Sequence, residues 1–389
     1  MKNFEYRCPT RVVFGKNGIE KLDEILPAEE RVFVTYGQGS IKRNGVYDRV
    51  VKALGARMVG EFGGIEANPD HETCVKAMAA ANAAKPTLLL AVGGGSVVDA
   101  TKYIVCGMNW TKTADPWDIP LRWGEGADKA YEPAPAVPLA CVLTLPATGT
   151  EMNNGGVISW RAKNMKLGFG HPGCFPKFSI LDPEITYSLP RRQLANGLAD
   201  AFVHVMEQYA GHHDQGILQD EQAEALMRTL VRIAPDTLVM DPPKYQSRAE
   251  FFWTTTQCLN YLIACGVDQC WGTHIIGHEL TAFYGLDHGV TLSIVMPRFL
   301  RKLKVERRIQ LERLAKHVFG ITAADDPAQA AIDACEKWFQ SLGIATTLSG
   351  NGCDGSHIDE IAAKFEGRTL GPEKKIGPKE IAEILRESL

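Results

Sequence analysis

Along the first half of the chain, short continuous apolar runs alternate with stretches of helical periodicity. RVFVTYG (31–37), rich in β-branched and aromatic residues, predicts a strand. SIKRNGVYDRVVKALG follows it, with Ile41, Val46, Val50 and Leu54 at roughly helical spacing. RMVGEF predicts a second strand, and the alanine-rich HETCVKAMAAANAAK a second helix. TLLLAV (87–92) and ACVLTL (140–145) are apolar runs with one threonine each, as strands buried on both faces are; SVVDATKYIVCGM between them reads as a helix. This alternation predicts an open, mostly parallel sheet covered by helices. Between Asn109 and Pro138 the periodicity fails. DPWDIPLRWGEGADKAYEPAPAVP, with its prolines, glycines and exposed tryptophans, reads as a long surface loop near a site.

After LDPEITYSLP (181–190) the character changes. Long segments of helical spacing follow at 191–210, 218–238, 248–265, 269–283, 289–318, 327–342, 357–366 and 378–388, punctuated by glycine and proline. The prediction is an α/β domain over 1–182 and an all-helical domain over 183–389, with the boundary near Asp182-Pro183. A chain of 389 residues exceeds what one core usually serves, which agrees with two domains.

Composition narrows the function mainly by exclusion. A net charge of −4 demands no strongly basic domain, so nucleic acid is a poor partner. No apolar run is long enough to span a membrane, and MKNFEYRCPTRVVF lacks the apolar centre of a signal peptide. The ten cysteines are scattered without a C-x-x-C pair and read as reduced core residues of a cytoplasmic protein.

LLLAVGGGSVVDATK places Gly93, Gly94 and Gly95 between a buried strand and a helix. Side-chain-free residues let backbone approach a ligand, and the unsatisfied N–H groups of a helix start attract phosphate. The order is not G-x-G-x-x-G, and a tight turn with no ligand is the simpler alternative. Ser96 can cap the helix or donate a hydroxyl; Asp99 lies on its first turn. After the first long strand, Gly37, Gly39 and Ser40 form a turn followed by Lys42 and Arg43, with no Asp or Glu before Asp48. Small donors and two cations suit a 2′-phosphate, favouring NADP over NAD. A third turn, LTLPATGTEMNNG, carries Thr144, Thr148 and Thr150.

The helical half holds a second kind of chemistry. In GLADAFVHVMEQY, Asp200 and His204 stand four apart on one helical face; they can ligate together or simply hydrogen-bond to each other. HIIGHELTAFYGLDHG adds His274, His278 and His288, three of the ten histidines in the chain. One carboxylate and three of these four imidazoles, from two segments, have the makings of a site for Fe(II), Zn or Co. The segment is not H-E-x-x-H, which disfavours a protease-type zinc site. His71, expected on the surface, and His171, His212, His213, His317 and His357 read as bystanders.

Together YGQGSIKRNGVYD, GGGSVVDATK, LPATGTE, GLADAFVHVMEQY and GTHIIGHELTAFYGLDHG resemble the iron-containing (group III metal-dependent) alcohol dehydrogenase family, in its NADPH-dependent butanol dehydrogenase and aldehyde reductase branch. The resemblance implies a Rossmann-like N-terminal domain, a helical C-terminal domain and a site in the cleft between them, the fold shared with dehydroquinate synthase. It implies Asp200, His204, His274 and His288 as ligands of one divalent metal, Fe(II) or Zn, with His278 beside the nicotinamide and the substrate oxygen. It assigns Gly94, Gly95, Ser96, Asp99, Thr144, Thr148 and Lys166 to NADP(H), Lys166 on a loose local match. It implies a homodimer that reduces a small aldehyde to its primary alcohol. The proton can come from His278 or through water and the nucleotide ribose, and Phe169, Trp271, Phe283 and the loop tryptophans are candidates for the pocket wall or for core. Two other readings are a lyase of the dehydroquinate synthase kind and a non-catalytic metal- or nucleotide-binding protein.

Overall fold

The computed structural model describes residues 1–111, 113, 115–122, 135–211 and 213–389. It divides into two compact units: residues 7–189, and residues 1–6 together with 190–389.

The first unit is built on a six-stranded parallel sheet in the order β1-β8-β5-β4-β2-β3. Its strands are β1 (Arg11–Phe14), β2 (Val32–Gly37), β3 (Met58–Ile65), β4 (Leu88–Gly93), β5 (Leu139–Leu143) and β8 (Phe178–Leu181). The central strands β4 and β5 are buried at every position, as their unbroken apolar sequences require. Helices His71–Ala84 and Gly95–Gly107 follow β3 and β4. Val46–Leu54 follows β2 after a one-turn helix, Ser40–Arg43, and Gly45 at φ 79° separates the two. Val32, Val34, Leu88, Leu90, Ala140 and Val142 from the sheet pack with Ile41, Val46, Val50 and Leu54 in one apolar layer. Each large side chain so buried contributes about 1.5–3 kcal/mol.

Strands β1 and β8 and the antiparallel hairpin β6 (Gly155–Trp160) and β7 (Met165–Gly170) were not expected from the sequence. β1 and β8 are four residues each, too short to carry a period of their own. The loop expected at 109–138 contains a short helix, Asp118–Arg122, and Trp117 is buried rather than exposed. Its stretch 123–134, with Trp123, lies outside the described residues. Trp117 joins Trp160 around His71, whose ring is buried, with Nδ1 2.9 Å from the Tyr103 hydroxyl and Nε2 3.1 Å from Asp115 Oδ1. His71 is therefore not the surface residue that a helix start suggested.

The second unit is helical: Arg191–Tyr209, Ile217–Thr237, Tyr245–Cys258, Gly272–Tyr284, His288–Lys302, Arg308–His317, Pro327–Ser341, Ile358–Ala363 and Pro378–Arg386. The segment expected as one helix over 289–318 is two. At the break, the buried Arg307 makes a bidentate pair with Glu373, at 3.0 and 3.2 Å. Helix Arg191–Tyr209 is amphipathic in sequence, yet it is buried on all sides from Leu194 to Tyr209 apart from Asn196. Its polar residues Asp200, His204, Glu207 and Gln208 therefore sit inside protein, where they must find partners or a ligand. Among the described residues, no helix is long and apolar enough to cross a membrane.

Candidate active site

Two groups of residues carry chemistry, one in each unit.

In the helical unit, Asp200, His204 and Glu207 lie at i, i+4 and i+7, on one face of Arg191–Tyr209. The next two ligand candidates come from a helical hairpin. Gly285, at φ 69°, ends Gly272–Tyr284 with its N–H on the Thr281 carbonyl. Asp287 then accepts from Arg192 Nη1 at 2.6 Å and Asn196 Nδ2 at 2.9 Å, which ties the turn to the first helix. A Cβ at Gly289 would lie 2.6 Å from the Asn196 carbonyl oxygen, so only glycine allows His288–Lys302 to begin so close to that backbone. This contact brings His288 to Asp200.

The resulting geometry is compact. Asp200 Oδ1 lies 3.0 Å from His204 Nδ1, 3.9 Å from His274 Nε2 and 3.8 Å from His288 Nε2. One potential ligand atom each from Asp200, His204 and His274 can be chosen so that all three fall within 4.8 Å of one another. His204 donates through Nδ1 to the Asp200 carbonyl at 2.9 Å, leaving Nε2 for another partner. Among the described residues, Asp200 Oδ1 and His274 Nε2 are buried and make no hydrogen bond. Burial opposes a charge on Asp200, but the neighbouring His204 and His288 outweigh it and hold the carboxyl well below the usual range. Burial likewise pulls His274 down, while the carboxylates of Asp200 and Glu207 hold it up at about 9. Two buried atoms without a hydrogen bond, one on a carboxylate and one on an imidazole, with His204 and His288 beside them, fit a divalent cation of the Fe(II) or Zn type.

His278 stands one turn beyond His274. Its ring centroid is 6.3 Å from that of His274 and 5.4 Å from that of His288, and it is partly open to solvent. Trp271 packs edge-on against His204 and His274, at 6.0 and 5.3 Å. Of the other expected wall residues, Phe169 is core against Tyr103, and Phe283 packs on His357.

Glu207 was not singled out in the sequence. Its carboxylate accepts from the backbone N–H of Thr273 at 2.6 Å and of His274 at 3.1 Å, and from His274 Nδ1 at 2.5 Å. This fixes the His274 tautomer and turns Nε2 toward Asp200. The signal was legible as the third member of a 200/204/207 face, but an acid at that spacing reads equally as a helix surface. We expect Glu207→Gln to weaken metal retention by about 10–100-fold, measured by competition with a chelator. Unchanged retention would show that His274 needs no orienting partner.

In the α/β unit, the turns after β2, β4 and β5 leave the same edge of adjacent parallel strands. The chain departs in opposite directions from β2 to β3 and from β4 to β5, so the gap between β2 and β4 is a topological switch point. Gly37, Gly39 and Ser40 occupy one side of it, and Gly94, Gly95 and Ser96 the other. Thr144 pairs its N–H with the Gly93 carbonyl at 2.9 Å. Thr148 lies against Gly95, where an added Cβ would come within 2.9 Å of its hydroxyl. Ser96 Oγ accepts from Asn68 N at 3.2 Å, and Asn68 Oδ1 accepts from Lys166 Nζ at 2.9 Å, which links Lys166 to the same turn. Asp99 is already engaged by its own chain: Thr150 Oγ1 donates to it at 2.7 Å and Val157 N at 3.0 Å.

Lys42 is placed differently from the expectation of a spare cation with no carboxylate near. Glu61, on the neighbouring β3, lies 3.4 Å from its ammonium and accepts from the Tyr36 hydroxyl at 3.0 Å and from Tyr47. The ammonium also sits over the rings of Tyr36 and Tyr47, at 4.7 and 4.4 Å. Glu61 is far away in sequence, and only strand pairing brings it there. His212 lies outside the described residues.

Residues 9–183 match the iron-containing alcohol dehydrogenase family, and residues 194–389 match the C-terminal region of the Fe-containing alcohol dehydrogenase family. This chain belongs to the iron-containing alcohol dehydrogenase family. It is 43% identical, over 100% of its length and 99% of the other, to the NADP-dependent alcohol dehydrogenase 3 of Entamoeba histolytica. It is 45% identical to the NADPH-dependent aldehyde reductase YqhD of Escherichia coli, over 94% of this chain and 93% of that one. The crystal structure of Escherichia coli YqhD superposes with a TM-score of 0.95, covering 100% of this chain and 99% of that chain. The parallel sheet and the helical second unit are thus the architecture of an iron-containing alcohol dehydrogenase.

Proposed function

We propose that this family member transfers hydride reversibly between NADP(H) and a small aldehyde or primary alcohol, acting chiefly as an aldehyde reductase. The observation that carries this reading is the convergence of Asp200, His204, His274 and His288, with Asp200 Oδ1 and His274 Nε2 buried and, among the described residues, without a hydrogen bond. The cofactor and activity named for the Entamoeba histolytica and Escherichia coli relatives support it.

In this reading the four residues hold one divalent cation, Fe(II) or Zn. When bound, the cation polarises a carbonyl oxygen and the dihydronicotinamide supplies the hydride. The chain's own residues do the rest. Glu207 orients His274 through Nδ1, and the His204 Nδ1 bond to the Asp200 carbonyl orients the second imidazole. His278, partly exposed beside His288, would hand a ring-nitrogen proton to the product oxygen. Gly37, Gly39, Ser40, Gly94, Gly95, Ser96, Thr144, Thr148 and Lys166 line the two sides of the dinucleotide seat, with the helix start of Gly95–Gly107 facing its phosphates. Asp99 serves that seat as a brace. Lys42, paired with Glu61, supports a 2′-phosphate only as part of a neutralised cluster with Tyr36 and Tyr47. Homodimer assembly in the cytoplasm belongs to the same proposal; family resemblance supports the dimer, and ten unbridged cysteines support the compartment.

The test is NADPH oxidation across short aldehydes, with metal analysis of the same protein. Butanal should be reduced with one NADPH consumed per alcohol formed, and NADPH should be preferred to NADH. Product without net NADPH consumption would favour the lyase. Bound metal without turnover of any aldehyde or alcohol would favour a binding protein.

A further inference from the structure

Lys102, on helix Gly95–Gly107, is fully buried, and the site chemistry above does not use it. Its ammonium meets five oxygens: the Thr150 carbonyl at 2.7 Å, Thr150 Oγ1 at 2.8 Å, the Asn153 carbonyl at 2.9 Å, Asn153 Oδ1 at 3.0 Å and the Gly155 carbonyl at 2.7 Å. An ammonium has three protons to share among them. Five oxygens around one buried cation form a cage of the kind that holds a monovalent metal ion. A neutral amine would turn a lone pair toward that cage, so the arrangement is stable only with the charge present.

The cage is made from one stretch of chain, the connection from β5 to β6. Thr150 Oγ1 accepts from Lys102 while donating to Asp99 Oδ1. Asn153 Oδ1 accepts from Lys102 and from Gly155 N, and its Nδ2 donates to the Gly149 carbonyl at 3.0 Å. The Thr150 N–H reaches Thr148 Oγ1 at 3.4 Å, the same hydroxyl that a Cβ on Gly95 would strike. From ammonium to glycine turn the contacts are continuous.

We propose that Lys102 is the positioning residue of the dinucleotide seat: a built-in monovalent cation around which residues 148–155 fold, setting Thr148 against Gly95. The inference rests on the reading that the dinucleotide binds at the glycine turn. Lys102 acts through Thr150 and Thr148 and touches no reacting atom.

The experiment is Lys102→Ala, with NADPH affinity followed by nicotinamide fluorescence and folding by circular dichroism. The dissociation constant should rise between about 10- and 100-fold, because the seat is displaced rather than removed. Propylammonium replaces the three methylenes and the ammonium that the substitution deletes. It should restore affinity, whereas propanol, which has no charge, should not. A merely structural role for the side chain would not distinguish the two. Lys102→Ala that binds NADPH like the wild type overturns the proposal, as does a folded variant rescued equally by propanol or not rescued by propylammonium.

If the variant does not fold, the wild-type protein decides. Burial pulls the Lys102 pKa to about 8 against the opposing charge of Asp99. The groups facing it are Asp99 on its own helix, Cys174, Cys141 on β5, and Glu151, with Lys166 near Asp99. Because the cage requires the proton, NADPH affinity should be full below pH 8 and fall as pH rises through that value. Affinity that stays constant across the pH range in which nitrogen NMR shows the Lys102 ammonium losing its proton overturns the proposal. Wild-type protein that binds no dinucleotide at any pH defeats the underlying functional reading instead.

Discussion

His274→Ala is expected to release the bound metal and to lower NADPH-dependent butanal reduction by at least about 1,000-fold, equivalent to roughly 4 kcal/mol of transition-state stabilisation. His274 Nε2 is a buried atom of the cluster that makes no hydrogen bond among the described residues, and its loss leaves Asp200, His204 and His288 to hold a cation without the ligand that Glu207 orients. The fold should survive. Glu207 keeps its backbone contacts to residues 273 and 274, so the start of Gly272–Tyr284 remains pinned to Arg191–Tyr209. Unfolding should therefore stay cooperative, with a loss of stability of up to about 3–5 kcal/mol from the broken His274–Glu207 pair. Metal content and activity must fall together. A variant that retains metal and reduces butanal at the wild-type rate would remove His274 from the ligand set.

Gly95→Val is the second large expectation. A Cβ at this position would stand 2.9 Å from Thr148 Oγ1, and the γ-methyls would fill the space at the helix start where backbone N–H groups face outward. Gly95 is already helical, so its backbone conformation is open to any residue; what valine lacks there is room. Affinity for NADPH should fall by roughly 10- to 100-fold, about 1.4–2.8 kcal/mol, in a titration of nicotinamide fluorescence. Valine is a better helix former than glycine, which offsets part of the strain against Thr148, so the melting temperature should move little. Metal content should stay at the wild-type level. NADPH bound as tightly as before would take the dinucleotide away from this turn and leave the glycines as a tight connection only.

These two variants separate the halves of the proposed reaction. The first removes metal and leaves the nucleotide turn intact; the second does the reverse.

Much of the fold was legible because its elements are locally determined. The short apolar run in TLLLAV, bounded by Pro86 and the glycines 93–95, reads as a strand buried on both faces, and the β4 it forms is buried throughout. The i, i+4 spacing of Asp200 and His204 on one helical face follows from 3.6 residues per turn. What the tertiary structure alone decided depends on pairs distant in the chain. The four-residue strands β1 and β8 exist because they pair with each other and β8 with β5, not because of their own pattern. Glu61 reaches Lys42 only across the β2–β3 ladder, and Lys102 becomes a buried cation only when residues 150–155 wrap it. Glu207 looks like any surface acid until Gly272–Tyr284 docks against it and delivers His274. Local sequence sets periodicity and turn chemistry, which are properties of neighbours. Desolvation and the partners that compensate it are properties of packing, and the side chains that matter most here are polar groups inside protein.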